Sequence, residues 1–144
     1  MLYIDFLKTR TACPFCEPVA GRAFAKNELA FLTYALAPYH QHHLLVVPQR
    51  HIESFHDLTP DESAAIDALV RQGVHMLESI GYEDYTVLVR SGMKSGKSVS
   101  HLHYHIIPSV VVGDLDHKGD ERKVMTDEEI ERIFSDFGGA LKNI

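Results

Sequence analysis

The sequence predicts an α+β domain in which helices pack on an antiparallel sheet. The order of elements points there: strands, one long helix, two more strands and a terminal helix. The last two strands are joined by a short loop of small residues, 91–100, which suits an antiparallel return. The helices carry their own start signals, so their limits are legible without the fold.

Residues 1–10 are too short to place and suit a helix or a strand equally. "TACPFCEP" (11–18) is turn-rich, marked by Pro14 and Pro18. "ELAFLTYAL" (28–36) is apolar and aromatic and predicts a strand, and "HLLVVP" (43–48) predicts a second, closed by Pro48. A helix then begins. Thr59 is its N-cap, Pro60 its first helical residue, and Glu62 completes a capping box. Ile66, Leu69, Val70, Val74, Leu77 and Ile80 follow at helical spacing, with Met76 in the core and Gly81 as the stop. "YTVLVR" (85–90) is a third strand and "HLHYHIIPSVV" (101–111) a fourth. Residues 112–123 read as loop. Thr126–Phe137 reads as the last helix, with Glu129 completing its capping box and Ile130, Ile133, Phe134 and Phe137 as its apolar face. His56, His75 and His117 read as surface residues.

The chain has 144 residues, the length of one domain with a real core, and no linker divides 1–144. Its net charge of −6 excludes a broad basic surface for long nucleic acid but leaves room for a locally basic pocket. No apolar run approaches the ~18 residues of a membrane span. "MLYIDFLKTR" lacks the features of a signal peptide, so the expected compartment is the cytoplasm. Cys13 and Cys16, spaced C-x-x-C, read there as half a metal site or a redox pair.

The chain holds ten histidines, three of them at alternate positions in "HLHYHIIP": His101, His103 and His105. On a strand these share one face, about 6.6 Å apart, while Leu102, Tyr104 and Ile106 face a core. Bulk stability needs no such row. The rings serve either as metal ligands or as a nucleophile with neighbours that hold its tautomer and move protons. The loop before them carries Gly92, Gly96, Ser95, Ser98, Lys94 and Lys97. Exposed backbone N–H groups and ammonium charge favour a phosphate there. A second cluster, His40, His42, His43 and His51, surrounds the second strand. Two of these histidines with Cys13 and Cys16 can complete a closed tetrahedral zinc set.

"HLHYHII" resembles the His-φ-His-φ-His-φ-φ motif, φ being apolar, of the histidine-triad family of nucleotide hydrolases and transferases. "HLLVVPQRH" and "SGKSVSHLHYHIIP" resemble two further segments of that family, and the match spans residues 13–108, with 109–144 as a C-terminal extension. The resemblance implies a small histidine-triad-like fold: an antiparallel sheet of about five strands with one long and one C-terminal helix, often a homodimer. It implies a small nucleotide substrate, cleaved through a nucleotidyl-histidine on His103, with His105 and His43 as supporting partners. Ser98, Lys97 and Gly96 would meet the phosphate, and Phe31 and Thr33 the nucleoside. It implies structural zinc on Cys13, Cys16, His51 and His101. The spacing from Phe31 to His43 looks most like the branch acting on dinucleoside polyphosphates. The chain departs from the family at His42, where glycine is usual, at Lys97 in place of glutamine, and at Ser109 in place of arginine. No acidic or amide residue stands at the ribose position. Two other readings remain: a zinc-stabilised nucleotide sensor without turnover, and an enzyme whose three triad histidines all bind a metal.

Overall fold

The structure, a computed structural model, describes residues 1–8, 13–16, 23–92, 99–109 and 123–141. Its elements are α1 (Tyr3–Lys8), β1 (Ala25–Lys26), β2 (Ala30–Tyr34), β3 (Leu44–Pro48), a 3₁₀ turn (Phe55–Asp57), α2 (Pro60–Ser79), β4 (Tyr85–Val89), β5 (Tyr104–Pro108), α3 (Asp127–Asp136) and α4 (Gly138–Leu141). Five strands form one antiparallel sheet in the order β1-β2-β3-β5-β4. This is the α+β architecture that the sequence predicts.

The register divides the side chains between two faces. Leu32 pairs with Val46, Leu44 with Ile106 and Val46 with Tyr104. These side chains face α2 and the C-terminal helices and make the main core with Ile66, Leu69, Met76, Leu77, Ile133 and Phe137. Complete burial of each such apolar side chain contributes about 1.5–3 kcal/mol. On the opposite face Leu45 pairs with both Thr33 and His105. Leu45, Val47 and Ala35 form a smaller cluster there, packed by Phe15 and Phe31.

α2 forms where its local signals say. The Thr59 hydroxyl accepts from the Glu62 N–H at 3.1 Å, and the Glu62 carboxylate accepts from the Thr59 N–H at 3.0 Å. At the other end Gly81 takes φ 102°, the Tyr82 N–H donates to the Leu77 carbonyl and the Gly81 N–H to that of Glu78. This C-terminal turn is a Schellman motif, which needs a left-handed residue in that place. Midway, Gly73 lets the helix approach the sheet closely, since a Cβ there would lie 2.6 Å from Ile106 Cδ1. The Thr126–Glu129 capping box also forms, and Phe134 stacks on Phe24 at 4.2 Å. His56 and His75 are exposed. His117 lies outside the described residues.

The fourth predicted strand is corrected at its start. It begins at Tyr104, so His101 and His103 precede it and only His105 stands on the ladder. The cause lies in the partner strand. Pro48 has no N–H to give, and its carbonyl accepts from the His101 ring at 2.8 Å. Pairing of β3 with β5 therefore starts at Val46 and Tyr104, and the Leu102 N–H turns to the Ile52 carbonyl at 2.7 Å. Residues 110 and 111 lie outside the described residues. The other strands are shorter at their ends than predicted, Tyr3–Lys8 within 1–10 is helical, and two-residue β1 has no periodicity by which to be read.

Candidate active site and metal centre

Three histidine-bearing segments meet on the face opposite α2. His43 stands at the entry to β3, in a tight turn closed by the His43 N–H to the His40 carbonyl at 3.0 Å. The same turn aims the Tyr39 N–H at His43 Nδ1, 3.1 Å away. A backbone N–H can only donate, so the lone pair of His43 is on Nδ1 and its proton on Nε2. Nε2 lies 2.9 Å from His105 Nδ1 and donates to it. Neutral His105 thus carries its proton on Nε2. His103 is set the other way. Its Nδ1 lies 2.8 Å from the His101 carbonyl, which can only accept. Nδ1 therefore carries the proton and Nε2 the lone pair. The His103 and His105 rings stand 4.8 Å apart, centre to centre. His43, His103 and His105 are all buried. A lone pair on one ring and a ring N–H beside it are what a nucleophile and a proton donor require.

The His103 and His105 rings open into a pocket whose empty space, counted out to solvent, is about 520 Å³. Tyr3, Pro14, Phe15, Ala35, Leu36, Leu45 and Val99 line it beside His103 and His105. Phe15, between the two cysteines, lies 5.2 Å from the His103 ring and 5.7 Å from the His101 ring. Phe31 packs nearby with Phe15. Thr33 is fully buried and does not line the pocket. Gly96, Lys97 and Ser98 lie outside the described residues. Tyr3, Pro14, Phe15 and Val99 escape sequence reasoning. The position of Phe15 inside the C-x-x-C was the available signal.

Behind the pocket, Cys13, Cys16, His51 and His101 bring their ligand atoms within 4.8 Å of one another. The sulfur-to-nitrogen distances are 3.5 Å (Cys13–His101), 3.4 Å (Cys16–His101) and 3.1 Å (Cys16–His51). Tetrahedral zinc with ordinary bond lengths separates a sulfur and a nitrogen ligand by about 3.5 Å. The donor set, two thiols and two imidazoles, therefore fits such an ion. The Pro48 carbonyl fixes the proton of His101 on Nε2, leaving Nδ1 with the lone pair a metal needs. Burial holds the His101 pKa below its ordinary value, which keeps the ring neutral. Arg50, one residue before His51, clamps the exit of β3 to the start of α2. Its Nε and Nη2 donate to the two Glu62 oxygens at 3.1 and 2.8 Å. That guanidinium lowers the buried Glu62 carboxyl to about 2.

His42 points to the main core instead. Its ring lies 2.6 Å from the Tyr82 hydroxyl and 2.7 Å from Asp136. The backbone there has no positive φ, so the place where glycine was expected makes no demand that histidine cannot meet.

A family model described as HIT domain matches residues 19–110. The chain belongs to this histidine-triad family. An uncharacterised HIT-like protein of Methanocaldococcus jannaschii is 32% identical over 84% of this chain and 98% of its own length. An adenosine 5'-monophosphoramidase of Schizosaccharomyces pombe is 34% identical over 67% of this chain and 74% of its own. An AP-4-A phosphorylase of Mycobacterium tuberculosis is 30% identical over 68% of this chain, which spans only 51% of that protein. Two solved structures share the fold. One is a hypothetical histidine triad nucleotide-binding protein of Sulfolobus tokodaii (TM-score 0.73, 23% identity, 91% of this chain and 93% of that one). The other is a zinc-bound histidine triad family protein of Mycobacterium smegmatis (TM-score 0.69, 22% identity, 92% and 94%).

Proposed function

We propose that this protein is a nucleotide phosphohydrolase or nucleotidyl transferase, cleaving substrates in which a nucleoside monophosphate is joined to a leaving group by a phosphoanhydride or phosphoramidate bond. The observation that carries the reading is the pair of opposed tautomers: a lone pair on His103 Nε2 and a ring proton on His105 Nε2, imposed through His43. His103 Nε2 attacks the α-phosphorus. An N–P bond forms, the bond from phosphorus to the leaving group breaks, and the leaving group takes a proton from the side on which His105 stands. Water then attacks phosphorus and returns a proton to the His105 side, or another oxygen nucleophile attacks instead; the N–P bond breaks, and the nucleoside monophosphate departs. The His101 carbonyl stabilises the positive charge that His103 acquires, because its hydrogen bond strengthens with the charge. Phe15, Phe31 and the apolar pocket wall bury the nucleoside. Ser98, Lys97 and Gly96 are proposed as the phosphate contacts. Dinucleoside polyphosphates and adenylated amines are the preferred substrates, in keeping with the activities named for the phosphorylase and the monophosphoramidase.

Cys13, Cys16, His51 and His101 are proposed to hold zinc, which crosslinks the N-terminal turn to the pocket wall and takes no part in the steps above. We assign the protein to the cytoplasm; among the described residues no helix is long and apolar enough to cross a membrane. We assign it as a homodimer. β4 is an edge strand, and its Tyr85 and Val87 are exposed. The test is AMP release from diadenosine tetraphosphate and from an adenosine phosphoramidate by wild type and His103→Ala. Release by the wild type alone supports the reading. Nucleotide binding by the wild type without release overturns it in favour of a sensor.

A further inference from the structure

We propose that His42, Tyr82 and Asp136 form a latch through which α3 positions the catalytic turn at residues 39–43. The proposal rests on the catalytic reading of His43, His103 and His105, and goes beyond it by giving a role to residues that touch no substrate.

The three side chains come from distant parts of the chain. His42 belongs to the turn before β3, Tyr82 to the C-terminal turn of α2, and Asp136 to the last residue of α3. They meet in a partly buried contact, with His42 itself buried. Its Nε2 lies 2.7 Å from Asp136 Oδ2. A carboxylate can only accept, so this nitrogen carries a proton. Its Nδ1 lies 2.6 Å from the Tyr82 hydroxyl. Burial and the Asp136 charge both raise the Tyr82 pKa, which keeps the phenol protonated and able to donate. Phe137 packs on the His42 ring at 5.3 Å. Both ring nitrogens are thus satisfied, and the ring has one orientation.

Packing alone does not need this arrangement. An apolar side chain would fill the space beside Phe137 and Tyr82 without requiring two hydrogen bonds of fixed direction. What the bonds add is direction. A histidine held at both nitrogens fixes the backbone that carries it. That backbone is the turn in which the His42 N–H donates to His40 Nδ1 at 3.1 Å, the His43 N–H closes on the His40 carbonyl, and the Tyr39 N–H sets the tautomer of His43. Side chains alternate here: His43 points to His105 and His42 to α3. One dipeptide therefore ties the catalytic face to the C-terminal helix. The Schellman turn at Gly81 presents Tyr82 to this ring. Asp136 lies beyond the residues that match the family model, and His42 replaces the usual glycine.

The experiment uses the full chain. Asp136→Ala should lower kcat for AMP release from diadenosine tetraphosphate by roughly tenfold or more, with KM unchanged within about twofold, because a misplaced supporting group costs rate rather than binding. Asp136→Asn, which keeps an acceptor oxygen, should recover most of the rate. Ile133→Val, which loosens the packing of α3 without touching the latch, should leave kcat unchanged. ¹⁵N spectra of the imidazoles supply an independent readout. The wild type should show His43 with its proton on Nε2 and His105 accepting on Nδ1, and Asp136→Ala should show mixed tautomers at both. If Asp136→Ala fails to fold, Tyr82→Phe keeps the ring and removes the hydroxyl that meets His42, and should shift the same signals. Unchanged ring signals overturn the latch, as does a rate loss that Asn fails to rescue and Ile133→Val reproduces. If the wild type releases no AMP, the catalytic reading fails by itself, and the ring signals still decide whether α3 sets the turn.

Discussion

His101 and His103 stand two residues apart and are held in opposite tautomers. The Pro48 carbonyl takes the His101 proton on Nε2 and turns Nδ1 to the cysteines. The His101 carbonyl takes the His103 proton on Nδ1 and leaves the lone pair on Nε2. Each ring has one backbone carbonyl as its partner, and that partner decides which chemistry the ring can do. The two regions differ in the same sense. The candidate metal centre is assembled from turns, with Cys16 and His51 exposed. The candidate catalytic centre is rooted at the ends of β3 and β5, with all three rings buried. An ion can order a site that the chain holds loosely. A nucleophile without an ion needs the fold to order it. The centres are joined where Phe15 touches both.

The comparison breaks most sharply at the nucleophile. His103→Ala should reduce AMP formation by more than roughly 10³-fold, since the proposed covalent intermediate forms on that ring. Metal content should not change, because the proposed ligand set of Cys13, Cys16, His51 and His101 leaves that ring out. Elemental analysis beside turnover checks both halves. A metal lost with His103→Ala would mean that all three triad histidines are ligands. Cys13→Ser tests the other side. It should release the bound metal and lower stability by several kcal/mol, read as a fall in Tm that added zinc does not reverse. Activity should fall mainly through KM, as Phe15 leaves the pocket wall, while the rate of the nucleophilic step at saturation stays within about tenfold.

These roles were legible in unequal measure. The ends of α2 could be read from Thr59, Glu62 and Gly81 because capping is a matter between near neighbours in sequence. The membership of the metal set followed from resemblance and agrees with the cluster that the fold brings together. The row of histidines misled, because strand alternation was carried back through 101–103. The strand stops at Tyr104 for a reason located in Pro48, more than fifty positions earlier, and no local pattern contains it. The tautomers depend on carbonyls delivered by the same distant pairing. Asp136 is 94 residues from His42, and nothing in "HQHH" marks which of its rings turns to the core.

A smaller effect is expected where the two regions share a brace. Glu62 receives Arg50, which holds the chain just before His51. The Glu62 pKa is depressed in the folded protein, so its contribution is complete above the ordinary carboxylate value and is lost as pH falls toward about 2. Wild type should therefore lose stability across that interval. Glu62→Gln should show a shallower slope there, a Tm lower by several degrees at neutral pH, and weaker retention of metal. Denaturation curves at a series of pH values, with a zinc competition assay at neutral pH, measure all three. An unchanged slope would remove Glu62 from the account of acid stability.

Thr59→Ala should give the smallest change and separates the brace from the helix it stands on. The substitution removes the hydroxyl that caps the Glu62 N–H and should cost about 1 kcal/mol. It leaves Arg50 on the two carboxylate oxygens, so the chain before His51 stays clamped. Metal affinity should match the wild type while stability falls. If Thr59→Ala weakened metal binding as much as Glu62→Gln, the metal centre would depend on the start of α2 as a whole. The distinction between an ion-ordered region and a fold-ordered one would then be one of degree, since both would draw their geometry from the same helix.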